Sequence, residues 1–334
     1  ANGGATKPPR RAPRGPIRHN PIGDISFYRG VQAPQGIPRM SDEKPEIPFQ
    51  SVVLPEVLSE ETEIPFRCYP GISCFNACCR MADVTLAPYD ILRLKGRLGL
   101  STTDFLAKHT VPFQMDADGT PGVKLKTTDE GACLLLDGDR GCSVYEDRPT
   151  VCRYYPVALL NRHVAGETDT LQEYSLVRED HCKGHLEDRR ISIGDYRVEQ
   201  GCDTHDEHNR EWYQLILKKR SAGPTVGRPP QTSLNVFFLA SYDLDTFRRF
   251  VLSDKFRATY DLPETFYANI ETNELALLKF GYRFLRQVLF AEFSVPEQAG
   301  AWDKRVNQRQ EVWDLRRQVE MARRQQAEDE RYQG

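Results

Sequence analysis

The chain has 334 residues, with 45 Lys and Arg against 48 Asp and Glu and a formal net charge of −3. At 39% hydrophobic, 28% charged and a mean hydropathy of −0.58, it can build its own core and needs no disulfide staples. The near-neutral balance gives no general pull toward nucleic acid or a lipid surface, and no apolar run reaches the roughly 18 residues of a membrane-spanning helix.

Residues 1–60 read as an extended arm. Lys7, Arg10, Arg11, Arg14 and Arg18 precede the first acid, Asp24, and Pro8, Pro9, Pro13, Pro16, Pro21, Pro34 and Pro38 forbid long helices. Such a segment gains order only from contacts, so its basic residues read either as a solvated tail or as an arm anchored in the acidic groove of a protein partner, the expected role. It carries no apolar signal-peptide core, and the expected compartment is reducing and cytoplasmic.

Residues 61–222 hold all nine cysteines. FRCYPGISCFNACCRM supplies Cys68, Cys74, Cys78 and Cys79. The following LAPYDILRLKGRLGL predicts a helix, with Pro88 in its first turn, Ile91, Leu94 and Leu98 on one face and Gly99 as its stop. Ser101 and Asp104 form a capping box for a second helix carrying Phe105 and Leu106. Val123, Leu125 and Thr127 alternate as a strand. Leu134–Leu136 then lead to Asp137-Gly138, a hairpin turn that brings the flanking Cys133 and Cys142 together. Asp147 is placed to cap a short helix with Pro149 in its first turn and Cys152 facing inward. Arg148 and Arg153 read either as charge offsets for neighbouring thiolates or as surface salt bridges. Cys182 closes the set.

Eight thiols in one span suggest metal. A tetrahedral zinc ion or a cubane iron–sulfur cluster takes four thiolates, so Cys68, Cys74, Cys78, Cys79, Cys133, Cys142, Cys152 and Cys182 provide for two centres. Adjacent side chains diverge, so Cys78 and Cys79 serve one centre each, or one of them bridges. The competing disulfide framework meets an odd cysteine count and a chain large enough to fold without bridges. Two [4Fe–4S] clusters are expected ahead of Zn2+, because of the vicinal pair and the Pro-bearing loop after Cys152.

This pattern resembles the YkgJ-type cysteine-cluster family, a zinc- or iron-chelating domain with a CxxCxxCC signature. The second half of that family pattern, C-x-x-Y-x-x-R-P-x-x-C-R-x-Y-P, is matched by Cys142, Tyr145, Arg148-Pro149, Cys152-Arg153, Tyr155 and Pro156, with Cys182-Lys183-Gly184 following. The likeness spans roughly residues 61–215 and weakens toward about 295. The first half departs from it, reading C-x5-C-x3-C-C. Cys202 has no counterpart in the pattern and reads as a plain thiol. The resemblance also implies an enzymatic alternative, since flagellin lysine N-methylases carry a similar Cys-cluster domain. The chain itself shows no phosphate loop, nucleophile elbow or G-x-G-x-x-G motif.

His181, His185, His205 and His208 leave a mixed Cys/His zinc site open, but His205 and His208 fall on the polar start of a helix and read as solvated. That helix turns amphipathic, with Trp212, Leu215 and Ile216 buried. Residues 223–231 form a linker, and residues 232–300 two amphipathic helices joined through Leu262-Pro263. Residues 301–334 form a charged helix, a second candidate surface for a protein partner.

The expected fold is therefore mainly α with a small β-hairpin: an irregular Cys-rich core packed by helices, with an extended arm before it and helices after it. The expected function is a metal-cluster protein within a larger assembly, in electron transfer, sensing or scaffolding. A structural zinc module is the second alternative.

Overall fold

The computed structural model describes residues 53–163, 170–221 and 229–301, with Asp303, Asn307 and Met321 singly. The arm as far as residue 52, most of the linker and nearly all of the 301–334 helix lie outside the described residues. The rest is mainly helical, with four small two-stranded antiparallel sheets.

The start of the described chain is already tied down. The Leu54 and Leu58 amides donate to the carbonyls of Leu176 and Tyr174, so residues 53–58 of the expected arm lie along the chain's own hairpin. β1 (Glu63–Pro65) follows, and after it comes the one-turn helix α1 (Ala77–Arg80), entered through Asn76 in the left-handed region at φ 65°. α2 (Pro88–Leu98) has Pro88 in its first turn and Gly99, at φ 66°, as its left-handed end. α3 (Thr102–His109) is capped by Ser101 Oγ, which accepts from the Asp104 amide. β2 (Thr110–Gln114) and β3 (Pro121–Leu125) pair with Pro112 opposite Val123.

The Asp137-Gly138 turn joins β4 (Leu136–Asp137) to β5 (Gly141–Cys142), as its sequence predicts. Asp147 does not cap the next helix. It sits in a 3-10 turn and forms an ion pair with Arg93 of α2. α4 (Thr150–Tyr154) is capped from a distance instead: Asp90 Oδ1 of α2 accepts from the Thr150 amide at 2.9 Å. The longest strands, β6 (Val157–His163) and β7 (Thr170–Leu176), form a hairpin absent from the sequence-based expectation.

β8 (Arg190–Ser192) pairs with β1, so residues 63–65 and 190–192 close the Cys-rich segment at its two ends. α5 (Ile193–Gln200) ends at Gly201, and α6 (Cys202–Ser221) runs beneath the thiols with Trp212, Leu215 and Ile216 buried, as expected. The two helices expected over 232–300 are five: α7 (Gln231–Ser241), α8 (Leu244–Val251), α9 (Asp254–Arg257), α10 (Glu264–Thr272) and α11 (Glu274–Phe290). The first stretch breaks because Asp243 and Ser253 each accept an amide three residues ahead and start a new helix.

Two apolar cores result. The larger joins α2, α3, β3 and the 135–144 hairpin to α6–α11 through Trp212, Tyr242, Phe247 and Phe284. Large buried side chains of this kind each stabilise the fold by roughly 1.5–3 kcal/mol. The smaller collects Ile64, Phe66, Tyr154, Tyr174, Ile191 and Tyr196 around β1, β7 and β8. No helix among the described residues is long and apolar enough to cross a membrane.

Candidate metal centre

All nine cysteines are free thiols. Cys68, Cys74, Cys133 and Cys182 lie on irregular connections, and Cys78, Cys79, Cys142 and Cys152 on elements of two to five residues, where a turn can aim a side chain that a long helix or strand would spread along its length.

Cys79, Cys133, Cys142 and Cys152 make one group. The Cys133 amide donates to the Cys79 carbonyl at 2.8 Å, which fastens the hairpin to α1. Cys142 ends the β5 strand, and Cys152 sits on α4. Cys133 and Cys142 pack against the larger core. Within this group, Cys152 lies in the fields of Cys133 and Cys142, and Cys79 in those of Cys152 and Cys142. Burial pushes the Cys133, Cys142 and Cys152 thiols up, and Cys79 is raised first by donating its S–H to Cys78 and then by burial.

Cys68, Cys74 and Cys182 make a second group. Cys182 packs against the smaller core, and Cys68 is exposed. Cys68 lies in the fields of Cys78, Cys74 and Cys182, and burial raises it to about 11. Gly184 permits this approach. A Cβ there would stand 2.6 Å from Phe66 Cε2 and 2.9 Å from the Arg67 carbonyl oxygen, so only glycine lets the 182–184 loop lie against the strand that leads to Cys68.

Cys78 stands between the groups. Its sulfur is 4.0 Å from that of Cys79, and its charge is felt at Cys68 and Cys182 as well as at Cys142 and Cys152. The S–H hydrogen bond with Cys79 brings Cys78 down to about 7 while holding its neighbour up, so Cys78 is the first of the pair to become a thiolate.

Among the described residues, no three His, Cys, Asp or Glu side chains are drawn tightly enough together to hold a metal ion as they stand. The sulfurs are gathered but not closed. Their surroundings nonetheless fit thiolates. The nearby main-chain amides of Val144, of Leu135 and Leu136, and of Gly184 work against burial at Cys142, Cys133 and Cys182, drawing those thiols toward the thiolate. The Lys183 amide donates to Cys74 Sγ at 3.2 Å. An amide aimed at sulfur stabilises the thiolate and is the usual outer support of a metal-bound cysteine. An all-sulfur donor set suits zinc or an iron–sulfur cluster.

The residues around the thiols explain the motif between Cys142 and Pro156. Arg148 and Arg153 are both buried, and neither forms a salt bridge among the described residues. Arg148 Nη1 donates to the Tyr145 carbonyl at 2.8 Å and its guanidinium lies 4.0 Å from the Tyr145 ring centroid, with its charge also reaching Cys142. Arg153 Nη1 donates to the Gln200 carbonyl at 2.7 Å and Nε to that of Arg148 at 3.0 Å. The two arginines therefore pin the Cys152 segment to the end of α5. Arg153 spends its donors on the main chain, and of the two it is Arg148 whose charge reaches Cys142.

The histidines are not solvated. His205 is 3% exposed, and its Nδ1 lies 3.0 Å from Asp90 Oδ1 and 3.1 Å from Thr150 Oγ1. His208 packs on the Tyr89 ring at 4.5 Å. His205 belongs to a polar joint under α4 centred on Asp90, which also accepts from the Ala87 amide and the Thr150 hydroxyl. His181 stacks on Tyr155, and His185 Nε2 lies 3.1 Å from the Val177 carbonyl. Sequence reasoning missed the Asp90–His205 pair. The signal available was a lone acid inside a helix's apolar face, preceded by Pro88. Cys202 is fully buried in the smaller core, where the charges nearest it are Asp206, Arg197, Arg153 and Arg148, and burial raises it to about 12.

Residues 67–184 match the CxxCxxCC family model, described as "Putative zinc- or iron-chelating domain". The match opens one residue before Cys68, closes two after Cys182, and so encloses all eight gathered thiols and excludes Cys202. No curated protein and no solved structure matches the chain.

Proposed function

We propose that the chain binds two metal centres through eight thiolates and works as a metal-cluster subunit of a larger assembly. The outer centre takes Cys68, Cys74, Cys78 and Cys182. The inner centre takes Cys79, Cys133, Cys142 and Cys152. The observation that carries this reading is the division of the thiols into two sets that meet at the 4.0 Å Cys78–Cys79 contact, with the Lys183 amide donating to Cys74 and nearby amides favouring thiolates at Cys133, Cys142 and Cys182.

Iron–sulfur clusters are favoured over zinc, and they would supply one-electron transfer. The chain's own residues do the rest. The amides hold the sulfurs as thiolates, Arg148 offsets charge beside Cys142, and the larger core keeps water from the inner sulfurs. On this reading residues 61–222 are the metal-binding domain and residues 232–300 its helical buttress. A cytoplasmic setting and a protein partner bound through the arm and the last helix complete the proposal, supported by the basic, Pro-rich composition of the first and the charge of the second.

Anaerobic purification of the full chain, followed by metal and sulfide analysis and visible absorption, tests this. The expected result is iron with matching inorganic sulfide and a broad sulfur-to-iron charge-transfer band. A colourless zinc protein contradicts the iron–sulfur part. A folded, metal-free chain with disulfides contradicts the whole.

A further inference from the structure

Around Cys182 three polar atoms are buried without a hydrogen-bond partner among the described residues: Tyr155 hydroxyl, His181 Nε2 and His185 Nδ1. A buried polar group left unpaired costs about 1–3 kcal/mol, so a cluster of them marks a place built for something else. Two are accounted for by position. His185 uses its other nitrogen on the Val177 carbonyl, and His181 Nε2 stands 3.5 Å from Glu179 Oε2, close enough to pair on a small movement.

Tyr155 is different. Its ring is fixed, parallel to the His181 imidazole at 3° with centroids 6.5 Å apart. Its main-chain carbonyl accepts from the Tyr196 hydroxyl at 2.5 Å, which anchors the residue from the other side. The hydroxyl is thus delivered by a rigid frame to the Glu179 carboxylate and the Cys182 sulfur, within reach of both as acceptors but tightly closed on neither. A neutral thiol is a poor acceptor for a phenol, whereas a metal-bound thiolate is a good one.

We propose that Tyr155 is a positioning residue for the outer centre, its hydroxyl donating to the Cys182 thiolate once metal is bound. This rests on the two-centre reading above. The hydrogen bond fixes the Cys182 sulfur and disperses its charge, as outer supports of metal ligands do. Glu179 and His181 line the same wall, so the outer centre has a side-chain support that supplements its amide donors. Among the described residues no hydroxyl hydrogen-bonds an inner thiol, and these are held by nearby amides, Arg148 and the core.

The test uses the full chain with the metal it carries after anaerobic purification. Metal loss to EDTA is followed in the wild type and in Tyr155→Phe, which keeps the ring and its stack on His181 and deletes only the hydroxyl. Wild type should lose its metal in two phases, outer then inner. In Tyr155→Phe the first phase should quicken about 10-fold, the lower end of what losing such a support costs, with the second phase and thermal unfolding of the metal-free chain unchanged. Equal rates in wild type and variant, or equal quickening of both phases, would overturn the role of Tyr155. A wild type that carries no metal would instead overturn the two-centre reading, and this proposal with it.

Discussion

The two thiol groups are built by different means. The inner thiols stand on a hairpin and a short helix whose backs are cemented into the larger core, with Cys133 and Cys142 in apolar contact and α4 held by Asp90. The outer thiols sit on loops over the smaller core, with Cys68 and Cys78 exposed and the 182–184 loop held by a glycine contact and amide bonds. Burial and packing therefore fix the first group, while main-chain geometry fixes the second. A site of the first kind suits a permanent structural centre, and one of the second kind suits exchange with solvent or a partner.

The largest effect should come from breaking the inner group at its deepest point. Cys152→Ser should empty the inner centre and lower the melting temperature by roughly 10 °C or more, because metal affinity in such a domain is folding free energy. Cys68→Ser should empty the outer centre with a much smaller loss. Equal losses in calorimetry would erase the contrast.

The next effect removes the inner group's support rather than a ligand. Asp90 accepts from Ala87, Thr150 and the His205 side of α6, and it is fully buried. Asp90→Ala should cost about 3–5 kcal/mol in denaturant unfolding, since it strands several buried donors at once. It should also speed inner metal release more than outer.

How much of this was legible in the sequence depends on the range of the signal. Gly99 as a helix stop, the Ser101 cap and the Asp137-Gly138 turn are local, and each appears where the sequence places it. The family match over residues 67–184 encloses the eight thiols that the spacing singles out. The Asp90–His205 joint did not, because its partners are 115 residues apart and either side chain alone reads as a polar surface residue. Asp147 was misread for a related reason: its local position suits a cap, but Arg93 from another helix takes the carboxylate. The break at Asp243 carried a local cap signal that the strong apolar run around it concealed. The β6–β7 hairpin was missed although its second strand carries Tyr174 and Leu176 two residues apart, both buried.

A smaller effect sharpens the outer side. Gly184→Ala would push a methyl into the Phe66 ring and the Arg67 carbonyl, costing about 1–3 kcal/mol and opening the Cys68 and Cys182 approach. Metal analysis should show partial loss confined to the outer half. The smallest effect on metal should come from Cys202→Ser, which places a hydroxyl in the smaller core at a cost of about 1–3 kcal/mol. Its metal content should equal that of wild type.

The division into two centres is tested most directly by native mass spectrometry during stepwise EDTA addition to the anaerobic full chain, with alkylation of the freed thiols at each step. Two separate losses of metal are expected. The first should release Cys68, Cys74, Cys78 and Cys182 to the alkylating reagent, and the second Cys79, Cys133, Cys142 and Cys152. A single concerted loss, or a first step that frees thiols drawn from both sets, would contradict it.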